Sequence, residues 1–219
     1  MNFKKSLALA SICLLILNCS HSLRITNAEE LNVSSSFPLQ NQLRIGLSSP
    51  QMDDYATKKY IESVADALSR NSSVSRVVYP YKASLHASQV DVVIDLSVTT
   101  KYDGKWSNFF INWPGFLIWA PAVWGYGYKA DIETKGNISF TKKKANDSFT
   151  LPLVVHFRQA EIDRTWTEIS WFEITAIAFV GGFYMTTYDD DLTPEFITKF
   201  TPQYSQLVVN RILKSLESN

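Results

Sequence analysis

Residues 91–99 read DVVIDLSVT, and from residue 92 onward apolar and polar side chains alternate. In an extended chain, successive side chains point to opposite faces. One face of this segment would carry four apolar side chains: Val92, Ile94, Leu96 and Val98. Such a pattern is typical of a strand with one face in the core and the other wetter. The segment therefore predicts a β-strand, around which the neighbouring elements can be placed.

The residues before this strand predict a β-α-β unit. Residues 42–47 (QLRIGL) and 75–79 (SRVVY) are short apolar runs suited to strands. Between them, residues 54–70 carry apolar side chains at helical spacing. Asp53 and Asp54 stand at the start of this predicted helix, where carboxylates suit the helix dipole.

The residues after it predict a strand pair. Alternating apolar positions in 126–141 and 149–158 indicate two antiparallel strands. The charged run KKKAND (142–147) would form the turn between them. We interpret its lysines as a solvated hairpin tip rather than an anion site.

The C-terminal residues predict helices. Thr193-Pro194 and Thr201-Pro202 each place a capping hydroxyl before a proline suited to the first helical position. We expect a short helix near 194–199 and a longer one over 202–217. The resulting fold class is α+β: a single domain over 41–219, with a mixed or antiparallel sheet packed by the β-α-β helix and the C-terminal helix. This element order resembles the TolB amino-terminal domain and the curli-secretion-channel lipoprotein.

The first residues, MNFKKSLALASICLLILNCS, predict an export signal over 1–18. Lys4 and Lys5 precede an apolar stretch that is too short for a stable membrane span. Residues 15–19 (LILNC) resemble the lipobox of bacterial lipoproteins, in its looser spirochaete-type form. The resemblance implies diacylglycerol on Cys19, cleavage before it and acylation of the new amino end. The alternative is an ordinary secretory signal cut near Cys19 or at Ala28. Polar residues 19–40 predict a flexible tether.

Composition bounds the chemistry of the chain. Cys13 would leave with the signal, so no disulfide or thiolate zinc cluster is expected in the mature chain. The 21 basic and 21 acidic residues leave the chain near neutral, so the composition lacks the excess of basic residues that is typical of nucleic-acid-binding proteins. His156, on a predicted strand, is interpreted as a polar-face residue. We expect no cofactor and no metal site; residues 189–191 (DDD) are interpreted as a solvated loop before the helix at Pro194.

Two apolar segments require an explanation, and neither is suited to span a bilayer. Residues 106–128 (WSNFFINWPGFLIWAPAVWGYGY) are uncharged and interrupted by Pro and Gly. We favour an exposed role for them against a membrane or a partner, since Trp and Tyr suit the membrane–water boundary. The predicted contact residues are Trp113, Phe116, Trp119 and Trp124. Residues 169–188 are either core or a re-entrant segment.

Segments 112–132 and 163–196 resemble a group of uncharacterised bacterial envelope lipoproteins. The shared features are a PGF-containing aromatic segment before a GY-Y-A strand, and an RTW-E-SW segment before a glycine-bearing apolar stretch and an acidic T-P-E-F. The resemblance implies an envelope lipoprotein without an assigned enzymatic activity.

We therefore predict a non-enzymatic, lipid-anchored envelope protein that contacts membrane or a partner through 106–128. Neutral Ser20 after the anchor favours the outer membrane, on its periplasmic face rather than the cell surface. One alternative is a subunit of an oligomeric, secretion-channel-like outer-membrane assembly, in which the apolar segments join copies of the chain. A second is a hydrolase whose site would join several of four residues: Asp95, His156, Arg164 and Glu173.

Overall fold

The structure, a computed structural model, describes residues 22–26, 42–51, 53–112, 125–141, 146–159 and 174–217. The strands in these ranges are β1 (Ser22–Ile25), β2 (Leu43–Ser48), β3 (Val74–Val78), β4 (Val92–Gly104), β5 (Tyr126–Phe140) and β6 (Asn146–Gln159). The α-helices are α1 (Tyr55–Ser69), α2 (Ala83–His86), α3 (Asn108–Asn112), α4 (Ile174–Tyr184) and α5 (Thr193–Glu217). Short 3-10 turns cover Ala87–Gln89 and Asp190–Leu192.

The six strands form one mixed sheet in the order β1-β6-β5-β4-β2-β3. β2 pairs in parallel with both β3 and β4, whereas β1 pairs antiparallel with β6. A mixed sheet combined with helices confirms the α+β class predicted from the sequence.

The chain divides into two compact units, each built from three separate segments of the sequence. Unit 1 comprises residues 1–26, 102–130 and 154–189; unit 2 comprises residues 27–101, 131–153 and 190–219. The boundaries fall inside β4, β5 and β6, so each of these strands contributes residues to both units.

Unit 2 contains the predicted β-α-β unit, formed by β2, α1 and β3. Asp54 caps α1, because its carboxylate accepts a hydrogen bond of 2.7 Å from the backbone N–H of Thr57. The apolar face of α1 packs against α5: the ring centroids of Tyr60 and Tyr204 lie 4.5 Å apart, and Phe200 meets Tyr60 edge-on at 6.2 Å. The predicted apolar positions of β4 are buried, from Val92 to Val98.

The prediction of two C-terminal helices is wrong, because α5 runs unbroken from Thr193 to Glu217 with Pro202 inside it. Proline removes one backbone N–H and normally kinks a helix. Here buried side chains on both sides of Pro202, including Phe200 and Tyr204, form one continuous packed face. The hydroxyl of Ser205 donates to the Pro202 carbonyl at 3.1 Å, and that of Ser63 donates to the Thr201 carbonyl at 3.3 Å. Tertiary packing therefore outweighs the local helix-breaking signal.

Unit 1 is rich in aromatic contacts. The rings of Tyr102 and Tyr188 stack at 4.5 Å, and Tyr128 and Phe157 each meet Tyr188 edge-on, at 5.5 and 6.2 Å. These contacts join β4, β5 and β6 to the residues that follow α4. The predicted alternation of the strand pair is confirmed here, since Tyr128, Val155 and Phe157 are all buried.

Strand β1 lies within residues 19–40, for which the sequence predicted a tether. Its pairing with β6 places Ser22 opposite Arg158 and Ile25 opposite Val155. Directly after β1, the backbone N–H of Thr26 donates to the Val154 carbonyl at 3.0 Å. Residues 22–26 are therefore attached to the sheet of unit 1.

Candidate functional site

The site begins with a polar contact inside unit 1. The Asn108 side chain is fully buried at the start of α3. Its amide NH₂ donates to the carbonyls of Gly127, at 2.9 Å, and Met185, at 3.0 Å, while its oxygen accepts from the Gly127 N–H at 2.7 Å. One side chain thus joins α3, β5 and the end of α4, which fixes the positions of the two apolar helices.

Phe109 is the centre of the aromatic packing between these helices. Its ring is almost fully buried and lies parallel to that of Trp106, with centroids 5.5 Å apart. Phe179 and Phe183 of α4 contact it at 5.6 and 4.9 Å. A Cβ atom added to Gly182 would lie 2.8 Å from the Phe109 ring, so glycine is what permits this close approach of α4.

The side chains around Phe109 remain accessible to solvent. Among the described side chains of unit 1, six large apolar ones are exposed, and together we call them the aromatic surface: Trp106, Phe110, Phe179, Val180, Phe183 and Tyr184. A fully buried aromatic ring covers about 150–250 Å², so five half-exposed rings present on the order of 500 Å² of apolar area. A patch of that size on a soluble protein usually marks a contact with a partner or a membrane.

Charge is absent from the helices that carry this surface and appears at its border. No charged residue occurs between Lys105 and Lys129, or from residue 174 to 188. Lys105 directly precedes Trp106 and is half-buried. Burial, and then the positive charge of Arg158, lower the pKa of Lys105. Arg158 therefore lies close enough to Lys105 for the two cations to interact.

The sequence-predicted contact residues Trp113, Phe116, Trp119 and Trp124 lie outside the described residues, as does Cys19. Within the predicted segment 106–128, some of the described residues are exposed and others are buried. Trp106 and Phe110 are exposed, whereas Asn108, Phe109 and Tyr128 are buried. In segment 169–188, Phe179, Val180 and Phe183 are likewise exposed while Met185 is buried. Sequence reasoning missed Asn108, whose signal was an amide side chain within an aromatic run.

The residues considered for catalysis are only partly described. Asp95 accepts a hydrogen bond from Ser48, and His156 lies in the part of β6 that faces Arg24 of β1. Arg164 and Glu173 lie outside the described ranges. Asp190 and Asp191 are exposed in the 3-10 turn before α5. Within the described ranges, no group of three or more His, Cys, Asp or Glu side chains is placed to hold a metal ion.

Unit 2 holds an open cleft of about 410 Å³ beside the end of β3. The backbone N–H of Lys82 donates to His86 Nδ1 at 3.1 Å, which orients the imidazole in the cleft. Burial, and then the charge of Glu62, raise the pKa of Tyr79. The lining residues are Arg76, Val77, Val78, Tyr79, Pro80, Lys82, Leu85 and His86. They offer cationic groups that would attract an anion, without a carboxylate to pair with the imidazole as acid and base.

No α-helix in the described part of the chain combines the length and the hydropathy needed to cross a bilayer. Five of the six residues of the aromatic surface lie on α3, which has 5 residues, and α4, which has 11, and Trp106 lies just before α3.

No protein-family model and no curated protein matches this chain. Among solved structures, it is similar to rare lipoprotein B from Shewanella oneidensis, with a TM-score of 0.36 and 12% identity over 80% of this chain and 94% of that one. It is also similar to PelC, crystallised as a dodecamer, from Paraburkholderia phytofirmans, with a TM-score of 0.30 and 12% identity over 80% and 96% of the two chains. Both likenesses are distant, and neither assigns a role to any residue here.

Proposed function

We propose that this chain is a non-enzymatic envelope lipoprotein, anchored by lipid on Cys19, whose aromatic surface contacts a membrane or a partner protein. The observation that carries the proposal is the aromatic surface of unit 1. Its rings are held in place by Asn108 and Phe109, yet several remain about half exposed to solvent. Leaving such area exposed is unfavourable by roughly 25 cal/mol for each Å², so a binding partner that covers it is the simplest reason for its presence.

The anchor follows from the sequence signal at residues 15–19. Acyl chains on Cys19 would hold the protein stably at a bilayer, because more than one chain is attached. The outer membrane remains the proposed location, on the periplasmic face.

A photo-cross-linking experiment tests the contact in living cells. A photoreactive phenylalanine analogue is placed at Phe110 in the aromatic surface or at Leu85 in unit 2, two positions with similar exposure, 59% and 65%. We expect adducts with lipid or with protein at position 110 and none at position 85. Equal yields at the two positions would show that the aromatic surface is not a contact surface.

The anchor is tested separately by metabolic labelling with an alkyne analogue of palmitate. The wild-type chain should incorporate the label and Cys19→Ser should not. Incorporation that persists in Cys19→Ser would place the lipid elsewhere.

A further inference from the structure

The distance along the chain between the proposed lipid and the folded protein is short. β1 begins at Ser22, three residues after Cys19. An extended chain advances at most about 3.6 Å for each residue, so the lipidated residue lies within about 11 Å of Ser22. A flexible tether over 19–40 would instead have a root-mean-square span of about 25 Å.

β1 belongs to the unit that carries the aromatic surface. It pairs with β6 over four residues, and Thr26 adds two hydrogen bonds to the Val154 carbonyl, from its backbone N–H at 3.0 Å and from its hydroxyl at 2.9 Å. The next described strand, β2, begins at Leu43 and belongs to unit 2. Attachment to the lipid is therefore shortest for unit 1.

Arg158 relates the start of β1 to Lys105, at the border of the aromatic surface. Ser22 is opposite Arg158 in the β1–β6 register. The charge of Arg158 acts on Lys105, which precedes Trp106. Within unit 1, Arg158 thus pairs with the strand end nearest the anchor and also acts on Lys105, the residue before Trp106.

We infer that unit 1 lies directly against the bilayer that holds the Cys19 lipid, with its aromatic surface in the interfacial layer and Lys105 and Arg158 at the level of anionic lipid phosphates. This inference rests on the proposed lipidation of Cys19. Aromatic rings and basic side chains are the groups that the membrane–water boundary favours. The polar layer on each side of the hydrocarbon core is roughly 5–8 Å thick, so a link of about 11 Å keeps unit 1 at its surface.

The mature chain suits a spin-label test, because its only cysteine would be blocked by lipid. A single new thiol, Val180→Cys in the aromatic surface or Leu85→Cys in unit 2, then gives one labelled position in the full-length, lipidated protein. The two sites are matched, since Val180 is 69% exposed and Leu85 is 65% exposed. The protein is reconstituted in vesicles of phosphatidylethanolamine and phosphatidylglycerol. Collision rates of the nitroxide with oxygen and with a water-soluble nickel chelate are then measured.

We expect the label at position 180 to collide at least threefold more often with oxygen, relative to nickel, than the label at position 85. Equal ratios in a lipidated protein would overturn the inference while leaving the anchor intact. Protection of position 180 from both reagents would also overturn it, by indicating protein rather than lipid as the occupant. If Cys19 itself takes up the spin label, the anchor fails, and with it the proposed lipoprotein function.

The short link is tested by freeing β1. In Leu23→Pro/Arg24→Pro, two adjacent prolines must remove at least one N–H that faces β6, because alternate residues of an antiparallel edge strand face the neighbouring strand. The attached link then extends to β2, which begins at Leu43. We expect the ratio at position 180 to fall towards that at position 85, with circular dichroism unchanged. An unchanged ratio in this variant would show that the short link does not hold unit 1 at the bilayer.

Discussion

The side-chain amide of Asn108 pairs with both backbone polar groups of Gly127, accepting from its N–H at 2.7 Å and donating to its carbonyl at 2.9 Å. This pairing connects α3 to the first residues of β5. Together with the bond from Asn108 to the Met185 carbonyl, it determines where the aromatic side chains of α3 and α4 stand.

Replacing Asn108 should therefore destabilise unit 1. Asn108→Ala takes the side-chain partner from the buried Gly127 N–H and the buried Met185 carbonyl, whereas the Gly127 carbonyl still accepts from the Lys105 N–H at 3.1 Å. We expect this to cost about 2–3 kcal/mol of unfolding free energy. Asn108→Asp keeps the acceptor but loses both donors, and should be destabilising as well. Urea denaturation followed by tryptophan fluorescence measures both. A change below about 0.5 kcal/mol in Asn108→Ala would mean that water satisfies these groups equally well.

Two glycines of unit 1 should respond differently to a methyl group. A Cβ atom at Gly104 would lie 2.1 Å from the backbone carbonyl oxygen of Thr186, whereas at Gly127 its nearest neighbour is Lys105 Cδ at 3.0 Å. The carbonyl cannot move without shifting the chain, but the lysine side chain can rotate away. We expect Gly104→Ala to cost about 3 kcal/mol and Gly127→Ala about 1 kcal/mol or less. Thermal unfolding of the two variants side by side gives the comparison, and an equal loss would contradict this geometry.

Gly182 controls the approach of α4 to Phe109. Gly182→Ala should push α4 away from the Phe109 ring and lower stability by about 1–3 kcal/mol. Reducing the ring in Phe109→Leu should make room for the methyl group. We therefore expect the double variant to be more stable than the sum of the two single effects, as measured by a double-mutant cycle. Additive losses would indicate that the two residues do not touch.

A buried hydroxyl pair should give unit 2 a distinct response to alkaline pH. Tyr204 and Thr134 are both fully buried, with their hydroxyl oxygens 2.9 Å apart. Burial raises the pKa of Tyr204 far above the ordinary tyrosine value, although the hydrogen bond to Thr134 opposes this. Because the folded pKa lies above the unfolded one, the neutral phenol favours folding below about pH 10, and that contribution is lost as the pH rises above it.

Tyr204→Phe should accordingly cost about 1 kcal/mol at pH 7 through the lost hydrogen bond, and lose less stability than the wild-type chain between pH 9 and pH 11. Denaturant unfolding at each pH measures both quantities. Parallel pH profiles for the two proteins would show that Tyr204 does not contribute to the alkaline loss.

Local patterns were sufficient to predict much of the sheet and the β-α-β unit. The alternation of Val92, Ile94, Leu96 and Val98 acts over a few residues, so a single sequence shows it directly. The same holds for the carboxylates at the start of α1, of which the structure identifies Asp54 as the cap. Pro202 misled the prediction of α5, since packing against α1 is a long-range effect that no local signal records. β1 was missed because a four-residue edge strand, SLRI, carries too short a pattern among polar neighbours.

The sequence indicated the chemical nature of the candidate site but not the set of residues that form it. The uncharged aromatic run after Lys105 indicated an exposed contact, and the described part of that run does expose Trp106 and Phe110. The packing of this run against Phe179 and Phe183 is supported by the hydrogen bond between Asn108 and Met185, two residues that are 77 positions apart in sequence. Such a connection exists only in the folded chain.

The anchor on Cys19 is the claim on which the membrane placement of the protein depends, and the intact mass of the mature chain tests it most directly. We expect a species that begins at Cys19 and carries the added mass of diacylglycerol, with or without a further amide-linked acyl chain. A mature protein that begins at any other residue, or an unmodified Cys19, would contradict the account.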